Sequence, residues 1–208
     1  SPTYARQNWS VFGDVAVVTL NHRLTILGYL NVAQYAEHFQ DAANAGNADI
    51  VAALQWRQEN IAAVGGNPGN GSLFGQSGGG MKVTSLMQTP AADGLFHKGI
   101  VQSGSAPNVQ KITLPDSAPV AEALLKAAGT DDITVLEKMT HEELTALFDQ
   151  IQPGLVEKGI IDEMNWGPVE NDYYVNTIFH GSTEHARKIP MMIGSSIAEM
   201  GGFSQSIP

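Results

Sequence analysis

Gly75-Gln76-Ser77-Gly78-Gly79 constrains this chain more than any other stretch of its sequence. It matches Gly-x-Ser-x-Gly, and its flanks suit a sharp turn from strand to helix. Gly71-Ser72-Leu73-Phe74 can end a strand, and Gly80-Met81-Lys82-Val83-Thr84-Ser85-Leu86-Met87 can open a helix. Such a turn lifts the serine hydroxyl away from the backbone, and small neighbours let it close without clashes. A serine displayed this way attacks acyl carbons. It needs a base, an acid that orients the base, and an oxyanion hole.

The rest of the pattern fits a parallel sheet. Asp14-Val15-Ala16-Val17-Val18-Thr19-Leu20 is a β-branched run and predicts a strand buried on both faces. Residues 31–47, rich in Asn, Ala and Gln, predict an excursion over the surface. Asp49 to Val64 predicts a helix, from Ile50, Leu54, Ile61 and Val64, with Asn47 or Asp49 as its cap. Gly65-Gly66-Asn67-Pro68-Gly69-Asn70-Gly71 ends it in a loop. His97 to Gly104 and Ile189 to Gly194 predict further strands. Ala118–Ala128, Asp132–Met139 and His141–Gln150 predict short helices, with Thr140 and Glu143 as a capping box. Residues 151–172 predict irregular structure, and Asn176 to His180 the end of a helix. Strands alternating with helices place the chain in the α/β class.

Composition narrows the partners. Net charge is -10 over 208 residues, with no basic cluster, which argues against nucleic acid and anionic membranes. No apolar run is long enough to span a bilayer. The chain has no cysteine, which excludes disulfides and thiolate metal sites and fits the cytosol. No His pair has metalloprotease spacing, and the Gly-rich loop lacks a P-loop ending, so no metal or cofactor is expected.

The remaining catalytic groups are harder to place. The chain order for this elbow is serine, acid, histidine. Of the six histidines, His22 and His38 precede Ser77, His97 follows too soon, His141 sits in a cap signal, and His180 and His185 precede the last strand. The ordinary reading of each is a surface or helix-end histidine. Glu199 is the acid candidate, just past the strand ending at Gly194, against a competing reading as a solvated loop carboxylate. Asp93, Asp162, Glu163, Glu170 and Asp172 lack that setting. Gly78 offers one oxyanion N–H. No His-Gly-Gly loop supplies a second.

Several blocks in order, from about Val15 to Phe203, resemble the type-B carboxylesterases of the α/β-hydrolase fold, which include para-nitrobenzyl esterases and cholinesterases. They are Val17 to Leu24, Gly46-Asn47-Ala48-Asp49 through Trp56 to Ile61, Gly65-Gly66-Asn67-Pro68, and Leu73 to Gly80. Gly94 to Ile100, Gln102-Ser103-Gly104, Gly167-Pro168-Val169 and Lys188 to Glu199 complete the set. The resemblance implies a carboxylic-ester hydrolase acting on a small-molecule ester through an acyl-enzyme, without cofactor. Ser77 would be the nucleophile, Gly78 an oxyanion donor and Glu199 the triad acid. Gln76 stands where the family usually has Glu, and Gly78 where it usually has Ala.

The resemblance also implies that the oxyanion loop precedes the segment matching Ser1 and that the triad histidine follows Glu199. The chain then corresponds to the middle of a longer esterase and is expected to be inactive alone. Residues 1–208 would form part of one domain, with a core of 14–104 and 186–203 and a helical, cap-like insertion at about 105–185. A family strand belongs between 14–20 and 71–75, so other segments or another chain are expected to fill that slot. The competing reading is a non-catalytic, cholinesterase-like adhesion module or an inert truncated fragment; retention of Ser77 and Glu199 argues against the module. A bacterial cytoplasmic location is slightly favoured over others.

Overall fold

A computed structural model describes residues 6–104, 114–161, 166–175 and 183–196. The first helix, α1, spans Arg6–Gly13, followed by α2 (Thr25–Tyr29) and α3 (Ala45–Asn60). Strand β1 (Ser72–Gln76) leads directly into α4 (Gly78–Leu86), and β2 (Lys98–Gln102) follows. Helices α5 (Leu114–Ala128), α6 (Thr134–Lys138) and α7 (His141–Glu157) precede the last strand, β3 (Met191–Gly194). The chain divides into two compact units. Among the described residues, one holds 6–22, 47–104, 175 and 183–196, the other 23–46, 114–161 and 166–174.

The first unit is built on a three-stranded sheet in the order β1-β2-β3. Both pairings are parallel, with Ser72 opposite Lys98 and Gln76 opposite Gln102, then Gly99 opposite Met191. Parallel neighbours need a crossover, and α4 supplies the one between β1 and β2. It buries Val83 and Leu86, while β2 buries Val101. Gly99 leaves room for the flexible end of the Met191 side chain, which packs over it from β3. Helix α3 buries Asn47, Ile50, Val51, Leu54 and Arg57 at helical spacing.

The second unit is helical. Val120, Ala121, Leu124 and Leu125 of α5 form its core with Leu136 of α6 and Phe148 and Leu155 of α7. Ile26, Leu30 and Val32 join them. The predicted capping box starts α7: the Glu143 N–H donates to the Thr140 hydroxyl (3.2 Å), and the Thr140 N–H to the Glu143 carboxylate (2.8 Å).

Four expectations need correction. Residues 14–20 form no strand and are mostly exposed; Val15 is 49% exposed. A strand exists only as one side of a ladder, and among the described residues none pairs with this run or with the outer edge of β1. Asn47 is no cap: α3 starts at Ala45, and Asn47, fully buried inside it, donates to the Ser85 hydroxyl (3.2 Å). Residues 31–47 are more than a surface excursion, because Asn31, Val32, Ala43 and Asn44 are buried. The Asn44 side chain bonds both the N–H and the carbonyl of Val169 (2.8 and 2.9 Å). Finally, α7 runs on through Pro153 to Glu157 and buries Leu155 in the turn beyond the proline. The predicted helix end at 176–180 lies outside the described residues.

Candidate active site

Ser77 sits where β1 becomes α4, with φ 53° and ψ -122°. A non-glycine residue with positive φ is uncommon and strained, and such strain persists only where the surroundings enforce it. Here they do so through the backbone. The Ser77 N–H donates to the Gln102 carbonyl (2.8 Å), extending the β1–β2 ladder one residue past the strand. Its carbonyl accepts the Met81 N–H (3.1 Å), the first bond of the helix. The residue is therefore held by strand on one side and helix on the other. Its hydroxyl makes no capping bond and the residue is exposed, so the oxygen remains on the surface.

The glycines around it divide into two kinds. A Cβ at Gly75 would lie 2.2 Å from the Gly79 carbonyl carbon, so the turn closes backbone on backbone. A Cβ at Gly80 would meet the Gly104 Cα at 2.9 Å, and one at Gly104 would meet the Gly80 Cα and the Ser77 carbonyl oxygen at 2.5 Å. By contrast, among the described residues nothing lies within 4 Å of a Cβ built on Gly78 or Gly79. These two occupy the first turn of α4, where N–H groups have no carbonyl one turn back to bond. The helix dipole adds partial positive charge at the same end. An oxygen acquiring negative charge above Ser77 would meet both effects.

The clamp from β2 was not legible in the sequence. Ser103 takes φ 52°, and its N–H donates to the Gly194 carbonyl (2.7 Å). Gly104 can then lie against the elbow. A Ser-Gly pair after a strand was the only signal, and it fits any turn. Lys82 on α4 was also missed; burial pulls its ammonium down to about 8.

Glu199 lies outside the described residues, five positions past the end of β3. Among the described residues no histidine bonds to the Ser77 hydroxyl. His97 accepts the Gly71 N–H through Nδ1 (3.1 Å) at the start of β2, and His185 accepts the Gly94 N–H through Nε2 (3.0 Å). The five residues of β1 lie between the level of His97 and Ser77, a span of roughly 20 Å. His38 stacks on Phe39, and exposed His141 lies 3.4 Å from the Thr145 hydroxyl. His180 lies outside the described residues. No group of three or more described His, Asp or Glu side chains could hold a metal ion. No described helix is long and apolar enough to cross a membrane.

The family model described as Carboxylesterase family matches residues 2–208. The chain belongs to the carboxylesterase family. Among carboxylesterase relatives, the para-nitrobenzyl esterase of Bacillus subtilis (strain 168) is 34% identical over 202 residues, covering 94% of this chain and 39% of the relative. A solved esterase from the anaerobe Clostridium hathewayi, described as able to hydrolyse aliphatic aromatic polyesters, superposes with TM-score 0.82 at 45% identity, over 90% of this chain and 38% of that one. A solved PNB esterase gives TM-score 0.83 at 31% identity, over 100% of this chain and 44% of its own. The fold is accordingly that of the α/β-hydrolases, represented in part. The chain spans about two-fifths of the length of these carboxylesterases.

Proposed function

We propose that the protein to which this chain belongs hydrolyses carboxylic esters, with Ser77 as nucleophile. The observation that carries this reading is the conformation of Ser77: positive φ, an exposed residue, and a hydroxyl left out of helix capping. An ordinary serine before a helix caps it. This one is held in a strained turn with its oxygen outward, as a nucleophile elbow requires.

In this mechanism the Ser77 oxygen attacks the ester carbonyl while a histidine takes its proton. The Gly78 N–H, at the α4 N-terminus, stabilises the oxyanion of the tetrahedral intermediate. Collapse expels the alcohol and leaves an acyl-enzyme, which water hydrolyses to the acid. Glu199 orients the histidine. That histidine and the main oxyanion loop belong to segments outside residues 1–208, which also cover the open edge of β1. The chain is taken as part of a single domain, whose cap-like helical insertion also draws in residues 23–46.

Support for the substrate class comes from the relatives, whose names include an aryl ester and aliphatic aromatic polyesters. Short-chain aryl or alkyl esters are the expected substrates. The test is active-site labelling of the intact protein with a fluorophosphonate, followed by peptide mapping. Modification of Ser77 is expected. Modification of a different residue, or none in a protein that hydrolyses para-nitrophenyl acetate, would sink the assignment.

A further inference from the structure

At the end of β1 opposite Ser77, two neighbouring residues are arranged to react with each other. Asn70-Gly71, in the loop that leads into β1, is the one Asn-Gly step in residues 1–208. The main-chain nitrogen of a following residue can attack an asparagine side-chain amide, closing a five-membered imide and expelling ammonia. Glycine in second place favours the ring, because no Cβ obstructs its closure. Packing requires glycine there as well: a Cβ on Gly71 would fall 2.6 Å from Nη1 of Arg57. Two obstacles remain. The amide nitrogen must lose its proton, and the amide carbonyl is a poor electrophile.

A side chain from the next strand addresses each obstacle. The Gly71 N–H donates to Nδ1 of His97 (3.1 Å), so the proton that must leave already points at a base. The Lys98 ammonium donates to Oδ1 of Asn70 (2.9 Å), which polarises the carbonyl under attack. The Gly71 carbonyl accepts the backbone N–H groups of His97 and Lys98 (2.8 and 3.2 Å), which keeps both side chains beside the step. Because Nδ1 accepts, the His97 ring is neutral and carries its proton on Nε2. Burial, then Arg57, His185 and Lys98, hold His97 below its ordinary value, so it remains an unprotonated base at neutral pH. Asn67 is the contrast within the same loop. Pro68 follows it with no N–H to give up, and its side-chain oxygen accepts the Gly69 N–H (2.8 Å).

We infer that Asn70 is a site of self-catalysed deamidation, with His97 as the base and Lys98 as the oxyanion donor. Nδ1 of His97 takes the Gly71 amide proton as the nitrogen bonds to Cγ of Asn70. The negative charge gathers on Oδ1, against the Lys98 ammonium. The Cγ–Nδ2 bond then breaks, and Nδ2 leaves as ammonia with the proton that His97 returns. Water opens the imide at either carbonyl, leaving aspartate or isoaspartate at position 70. The net change consumes one water and releases one ammonia, with no oxidant, reductant or cofactor. The aspartate product places a carboxylate beside Lys98. The isoaspartate product adds a methylene to the main chain two residues before β1 begins at Ser72. None of this depends on the esterase reading of Ser77.

The test is incubation of the intact protein at neutral pH and physiological temperature, followed over days by peptide mass spectrometry with fragmentation that separates aspartate from isoaspartate. A gain of one mass unit is expected at Asn70, in both isomeric forms, while Asn67 in the same loop stays unchanged. His97→Gln and Lys98→Met should each slow the gain about tenfold or more. Side chains that only braced the loop would act in the other direction, since removing them would loosen it and speed the reaction. Lys98 is exposed, so Lys98→Met decides the matter if His97→Gln fails to fold. No mass gain at Asn70, or an unchanged or faster gain in the folded variants, overturns the inference.

Discussion

The two ends of the β1–β2 pair are built in opposite ways. At the C-terminal end, backbone packs on backbone: Gly75 against Gly79, and Gly104 against Gly80 and Ser77. Among the described residues no side chain stands over Gly78 or Gly79, and the Ser77 hydroxyl is left outward. At the N-terminal end, side chains do the bracing, with Arg57, His97 and Lys98 gathered around Asn70 and Gly71. The difference has a physical reason. On the function proposed above, the end that admits substrate stays open above its serine, and rigidity comes from main-chain contacts below it. The other end is free to fill with long side chains.

The largest expected effect at the open end is chemical. In the intact protein, Ser77→Ala should lower ester hydrolysis about 10^4-fold or more while the unfolding midpoint stays in place, since alanine bears the same positive φ as serine. Near-normal turnover in that variant would remove the reason for treating this end as the reactive one.

Next comes the clamp. Gly104→Ala should destabilise the protein by about 3 kcal/mol, read by denaturant unfolding, because its methyl would meet main-chain atoms that cannot step aside. A loss below about 1 kcal/mol would mean that the elbow yields and is not rigidly held. Lys82, on the same helix, should act in the opposite direction. With its folded value lowered to about 8 from 10.5, the ammonium disfavours folding at neutral pH. Stability from this group is complete above pH 10.5 and falls as the pH drops towards 8. Lys82→Met should therefore raise stability by about 2 kcal/mol at pH 7, and the gain should vanish at high pH.

The braced end should respond to acid. His97 has a lowered folded value, so its contribution is fully present above its ordinary value of 6.5 and is lost as the pH falls below it. Protonation at Nδ1 also removes the acceptor of the Gly71 N–H. His97→Gln should flatten the unfolding midpoint between about pH 7 and 5. An unaltered slope would deny His97 its bracing role. The smallest change belongs to the open end again: Gly79→Ala, with free space for its methyl, should shift stability by about 0.5 kcal/mol or less.

Legibility in the sequence followed how local each signal was. The elbow, α4, β2, β3 and the capping box at Thr140 depend on neighbours within a few residues, and the sequence shows them close to their observed bounds. The failures depended on distant partners. Asp14–Leu20 is a better strand former than Lys98–Gln102, yet Val101 is fully buried in a ladder and Val18 is 41% exposed outside one. Strand propensity marks a surface that fits a sheet; only a neighbour makes it a strand. Asn47 has the chemistry of a cap, but Ser85, 38 residues away, puts it to another use.

The sequence by itself determined the family pattern, the Gly-x-Ser-x-Gly turn and the choice of Ser77 as the residue to watch. These are written in residue type and spacing, which local sterics translate directly into backbone shape. Only the tertiary structure decided that Gly80 and Gly104 are the clamp beneath the serine, that Arg57 is buried against Gly71, and that His97 and His185 brace loops. Each of these depends on contacts between segments far apart in the chain, and no local pattern specifies which atoms will meet there.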